Sequence, residues 1–154
     1  MSDFPVLIRL KSGNFNFAET QSDGRDIPFT TAAGAGLPYQ IKQWDSSSGN
    51  AAVWIKIPTI TGNTTQEIKM YWGNSAVTAV SSGASVFNAT NGYASVLHMG
   101  DTLADEVGRN IPTNVNTTAS EGLIGMGRTF AAGQGVACGK TITASMPLFL
   151  ISRK

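Results

Sequence analysis

The chain has 154 residues, a hydrophobic fraction of 42% and a formal net charge of +1, with only 14% of its residues charged. That length suits one domain, or one domain with part of another. Charges this sparse exclude the basic stripe that nucleic-acid binding needs, and no apolar run reaches the length of a membrane span.

Short apolar or alternating runs, broken by Gly, Asn, Ser and Asp clusters, fill the sequence from its first residues. No long segment carries a 3.6-residue apolar period, so the pattern is all-β. "FPVLIRLK" alternates, with Val6, Ile8 and Leu10 opposite Leu7, Arg9 and Lys11. "SGNFNF" reads as a turn with two period-two aromatics, and "QSDGRD" as a turn in which Asp-Gly supplies positive φ at low cost. "IPFTTA" is a strand whose Pro28 implies an edge or a strand start. "LPYQIKQW" and "AAVWIKIP" are strands joined by the polar loop "DSSSGN". "QEIKMYW" follows, with Ile68, Met70 and Trp72 on one face and Glu67, Lys69 and Tyr71 on the other. The small-residue segment "GNSAVTAVSSGASVF" has room for a short helical turn.

Composition changes near "NATNG", so a boundary is expected at Asn91, dividing the chain into 1–91 and 92–154. Beyond it come the apolar run "YASVLHMG", a long polar stretch and renewed strands from residue 125 to 147. The expected architecture is an antiparallel β-sandwich, jelly-roll or immunoglobulin-like in style. Met1–Asp3 reads as a start added at a mature or internal boundary, and the Gly-, Ser-, Thr- and Asn-rich composition points to an extracellular or cell-surface setting. The lone Cys138 rules out an intramolecular disulfide and reads as a small buried residue.

Period-two counting assigns Trp44 and Trp54 to the same set as Gln40, Lys42 and Lys56, away from the core set Leu37, Tyr39, Ile41, Val53, Ile55 and Ile57. If three successive strands form a meander, Trp44, Trp54 and Tyr71 share a sheet face with Gln40 and Lys56. Aromatic rings stack on the C–H-rich faces of sugars, so that face is a candidate site for a polysaccharide or cell-surface glycan. The alternative is that another layer covers the rings and makes them core. In "SDGRD", Asp23 and Asp26 are candidate calcium ligands, because calcium takes oxygen donors. The single histidine, His98, is followed by Asp101, Asp105 and Glu106, a set from which metal or acid–base chemistry can be built. Zinc normally takes more His or Cys than this chain has. No other cofactor is indicated.

Two resemblances accompany these patterns. Through "FPVLIRL", "SDGRDIPFT", "LPYQIKQWD", "AVWIKIPTITG" and "IKMYWGN", residues 4–87 resemble the bacterial domain-of-unknown-function family 2341. That resemblance implies an extracellular or cell-surface β module and no reaction. Through "YASVLHMGD" and "GMGRTFAAGQGV", residues 93–154 resemble the opening of a concanavalin A-like, laminin-G-type lectin or glucanase domain. This second resemblance implies a glycan-binding sandwich, often with calcium, of which only the first part is present. A partial sandwich leaves an open edge, so packing on the first module or a homo-oligomer is expected. The expected function is non-catalytic carbohydrate recognition or adhesion. The alternatives are a small glycan-directed hydrolase using carboxylates such as Asp23, Asp26, Asp101 or Glu106, and a purely structural assembly module.

Overall fold

The computed structural model describes residues 1–139, together with the strand backbone of Phe149–Leu150. The strand expected over 140–147 and the end of the chain at 151–154 lie outside the described residues. The chain forms two compact units, residues 1–86 and 87–154. Among the described residues both are all-β apart from short helical turns. Among the described residues no helix is long and apolar enough to cross a membrane.

In the first unit, β1 (Ser2–Lys11), β5 (Asn50–Thr59) and β4 (Tyr39–Asp45) make one antiparallel sheet in the order β1-β5-β4. A second antiparallel sheet, in the order β3-β2-β6, contains β2 (Phe29–Thr31), β3 (Gly36–Leu37) and β6 (Ile68–Met70). Ile27, Phe29 and Leu37 from the second sheet and its approach meet Tyr39, Val53 and Ile55 from the first in one buried cluster. This is a sandwich core, in which each fully buried aliphatic or aromatic side chain contributes roughly 1.5–3 kcal/mol. β2 is the central strand, not an edge. Pro28 sits one residue before it, where the missing N–H breaks no ladder bond, and its carbonyl accepts from Tyr71 N at 3.0 Å.

The expected meander is not formed. β4 and β5 are a hairpin, but β6 leaves their sheet and pairs with β2. The chain after β6 then returns to the open edge of β4. Ile41 N donates to Ser81 Oγ at 2.8 Å, and Ser82 N donates to Tyr39 O at 2.9 Å. The short helix α1 (Gly83–Val86) follows and packs against β4 and β5 with Val86 fully buried. An unpaired strand edge is a template for aggregation, and this segment covers part of one.

A β-bulge decides where the first tryptophan goes. Tyr39 pairs with Ile55 and Ile41 with Val53, both on the inward face. The register then slips, so that Gln43 opposes Ala52 and Trp44 opposes Ala51. One extra residue, Lys42, is absorbed, and every later side chain of β4 changes face. Trp44 therefore joins Tyr39 and Ile41 on the inward side, where it packs against Phe15, Phe17 and the main cluster.

Gly24 is the floor beneath that ring. Its φ is +69°, and a β-carbon there would lie 2.6 Å from Trp44 Cε3 and 2.7 Å from Cε2. Gly24→Ala is therefore expected to destabilise the first unit by about 3 kcal/mol, from left-handed backbone strain and overpacking together. Gly13→Ala, where nothing lies within 4 Å, is expected to change stability by no more than about 0.5 kcal/mol. Urea midpoints of the two variants check the contrast.

The second unit contains β7 (Val96–Leu97), β8 (Thr113–Val115), β9 (Thr118–Glu121), β10 (Met126–Thr129), β11 (Gly135–Ala137) and β12 (Phe149–Leu150). β8 pairs with β11 and β9 with β10, both antiparallel, while β7 pairs with β12 in parallel. Short strands like these carry few ladder bonds, and buried polar side chains tie them together. Arg128 donates to Thr117 Oγ1 (2.6 Å), Gly100 O (2.7 Å) and Thr117 O (3.0 Å). Asp105, 9% exposed, accepts from the amides of Val96, Val107, Arg109 and Asn110 and from Asn110 Nδ2, all at 2.9–3.2 Å.

Candidate functional site

The structure separates the residues that the sequence grouped together. Trp44 is inward, as described above. Tyr71 lies just past β6, on the other sheet, and is exposed. Trp54 remains on the outer face of β5, opposite Leu7 on one side and Gln40 on the other, and Lys56 opposes Pro5 on the same face. Gln40, Trp54 and Lys56 are thus neighbours, but Trp54 is only half-exposed and its indole nitrogen is buried. Lys69, on the second sheet, donates to Ala32 O at 3.2 Å.

Asp23 and Asp26 serve different ends. Asp26 is 1% exposed; its Oδ1 accepts from Gln21 N and its Oδ2 from Gly73 N, both at 2.9 Å. It therefore clamps the segment after the 3-10 turn Phe17–Glu19 to the chain leaving β6. Asp23 is exposed and accepts from the amide and Nε of Arg25 at 3.2 and 3.0 Å. The Arg25 amide is the main cause that holds its carboxyl below the usual range. In the second unit, His98 Nε2 is 3.8 Å from Glu106 Oε1 with its ring edge-on to Phe87, while Asp101 is exposed and Asp105 is fully engaged by amides. Among the described residues no three His, Cys, Asp or Glu side chains converge as a metal site would require.

An open cleft of about 620 Å³ lies instead at one loop end of the first unit, between the turn after β1 and the β4–β5 hairpin. Its walls are hydroxyls and amides, from Ser12, Asn14, Asn16 and Ser46–Ser48, with the largely buried Phe15 and Phe17 behind them. Local bonding builds each wall. Lys11 O accepts from the amides of Asn14 and Phe15, and Asn14 Oδ1 accepts from Lys11 N at 2.7 Å, which closes the turn. Asn16 caps the following 3-10 turn (Phe17–Glu19), accepting from Ala18 N and donating to Glu19 Oε1. Asn and Asp favour such positions because their short side chains bond nearby backbone.

On the hairpin side, Asp45 Oδ1 accepts from the amides of Ser47 and Ser48 and from Ser47 Oγ, and Oδ2 accepts from Ser48 Oγ. These bonds, the Ser47 hydroxyl first, hold its carboxyl far below the ordinary carboxylate range.

Beside the cleft stands Trp72, 44% exposed and edge-on to Phe15 at 5.3 Å between ring centroids. Its Nε1 donates to Glu19 Oε2 at 2.9 Å, the largest cause of the lowered Glu19 pKa. Phe15, Phe17, Trp44 and Trp72 form a continuous aromatic cluster from core to surface. Sequence reasoning placed Trp72 on the core face of a longer strand. The missed signal is Gly73, whose φ of +88° ends the strand geometry, with Asp26 holding its amide.

No curated protein and no solved structure matches the chain, and no family model covers the concanavalin A-like resemblance of residues 93–154. Residues 23–97, which run from the Asp-Gly turn through β2–β6 to β7 and leave out β1, match the family described as Domain of unknown function (DUF2341).

Proposed function

We propose that the first unit is a non-catalytic carbohydrate-binding module of an extracellular or cell-surface protein, recognising a polysaccharide at its loop-end cleft. One observation carries this reading: an open, uncharged cleft is walled by serine and asparagine groups, and the 44%-exposed Trp72 meets its lining residue Phe15 edge-on. Ligand sites pair apolar and aromatic surface with a few convergent polar groups. A tryptophan presents a large rigid apolar face together with a polar handle, here bonded to Glu19. Sugars match that combination, with C–H faces for the indole and hydroxyls for the walls. In the same reading the second unit is concanavalin A-like.

Trp72→Ala tests the proposal by calorimetry against soluble polysaccharides. Affinity for the polysaccharide that binds is expected to fall about tenfold, equivalent to roughly 1.4 kcal/mol, while the thermal transition stays within a few degrees because the ring is half-exposed. Trp54→Ala, on the outer sheet face, is expected to leave affinity within about twofold, a difference under roughly 0.5 kcal/mol. Loss of binding in Trp54→Ala with none in Trp72→Ala would move the site to the sheet face and refute the cleft.

A further inference from the structure

We infer, building on the glycan reading above, that the cleft takes neutral, hydroxyl-rich saccharides and rejects acidic ones, because Asp45 turns its serine wall into hydrogen-bond acceptors. An ionised carboxylate only accepts, and a serine hydroxyl carries one proton. Ser47 Oγ donates that proton to Asp45 Oδ1, and Ser48 Oγ donates its own to Oδ2, both at 2.6 Å. Both protons are therefore committed inside the loop. What the two oxygens offer a ligand is lone pairs, one of those on Ser48 already accepting from Asn50 Nδ2 at 3.2 Å. The Ser47 and Ser48 amides also donate to Asp45, at 3.0 Å each, so the carboxylate cannot turn away without losing them.

A sugar hydroxyl has a proton to give to such a wall. A uronate carboxylate or a sulfate ester has none, and at Ser47 and Ser48 would set lone pair against lone pair. The cleft also offers an anion no charge of its own. None of its lining residues is charged, and the nearby carboxylates, Asp45 and Glu19, are both anionic. Lys11, one residue before the lining Ser12, and Glu19 are both exposed, so water and salt screen their charges alike. An acidic ligand would thus lose hydration without gaining a buried cation. Asp45 is a positioning residue, acting on the ligand through Ser47 and Ser48.

The test uses the full chain and polysaccharides that share a backbone but differ in charge: dextran with dextran sulfate, hydroxyethylcellulose with carboxymethylcellulose. Affinities are compared at physiological salt. The neutral member of a binding pair is expected to bind about tenfold more tightly, the worth of one unmade hydrogen bond. Asp45→Asn retains an acceptor for the loop amides but adds an NH2 that donates, which releases a serine proton toward the cleft; the gap is expected to shrink to about threefold. Ser47→Ala, which leaves Asp45 in place, is expected to weaken neutral binding with no gain for the charged member, and it stands in if Asp45→Asn fails to fold. Equal or tighter binding of the charged member in the unaltered protein would overturn the inference while leaving glycan recognition in place. So would an unchanged gap in a folded Asp45→Asn. Binding of no polysaccharide in either pair or in a wider panel would instead remove the glycan reading itself, and this inference with it.

Discussion

Trp44→Ala is expected to lower the unfolding free energy of the first unit by about 3 kcal/mol, the low end of the range for deleting a core aromatic ring, because Trp44 is partly buried. The reason is specific to this ring's surroundings. Trp44 rests on Gly24, meets Phe15 and Phe17 edge-on at 6.1 and 5.2 Å, and packs against both buried clusters of the unit. Nothing nearby can close the gap cheaply, since Gly24 has no side chain and Phe15 and Phe17 are tied to their own turns. Trp44→Phe should recover part of the loss by refilling some of the volume. Denaturant titration measures both. A Trp44→Ala protein with a near-normal midpoint would mean that the bulge at Lys42 does not turn this ring inward.

Asp105→Ala should be as damaging, but in the second unit. The substitution strips the acceptor from four backbone amides and one side-chain amide at once. Each buried donor left unsatisfied costs about 1–3 kcal/mol, with water recovering part of the total, so a net loss of about 3–5 kcal/mol is expected. Hydrogen exchange locates it: protection of the Val96, Val107 and Asn110 amides should collapse while that of β5 in the first unit persists. Unchanged protection at those three amides would contradict the assignment. The same carboxylate predicts an acid limit. Burial pushes the Asp105 pKa up, but the amides of Val96, Val107 and Asn110, with Ser95, outweigh burial and leave it below 3.8. A group whose folded pKa is depressed contributes stability that is full above its unfolded value and fades as pH falls through the folded one. Exchange at these amides should therefore accelerate only below about pH 4, starting near the ordinary aspartate value.

Local periodicity carried the fold class. The alternation of Val6, Ile8 and Leu10, and of Val53, Ile55 and Ile57, marks β1 and β5, and "DSSSGN", Asp45 to Asn50, reads as the connection that joins β4 to β5 in a hairpin. The site was far less legible, for three physical reasons. A bulge is invisible to a strict count of two, so Trp44 was assigned to the wrong face by a single residue, Lys42. Pairing between distant strands leaves no local trace, so the crossing of β6 to β2, which carries Tyr71 away from Trp54, could not be read from "QEIKMYW". Partners far along the chain are equally hidden. Asp26 looked like a calcium ligand because its turn is acidic, yet its second oxygen is taken by Gly73, 47 residues away. The Phe15–Trp72 contact was hidden for the same reason: 57 positions separate them in sequence, and their contact exists only in the fold.

The most direct test of glycan recognition at the loop-end cleft is a proton–nitrogen NMR titration of the full chain with a panel of neutral soluble polysaccharides. The expected result is a saturable shift confined to the amides of Asn14–Phe17 and Ser46–Gly49 and the indole resonance of Trp72, with the Trp54 indole unmoved. Shifts centred on Trp54, Gln40 and Lys56, or none with any polysaccharide, would contradict it.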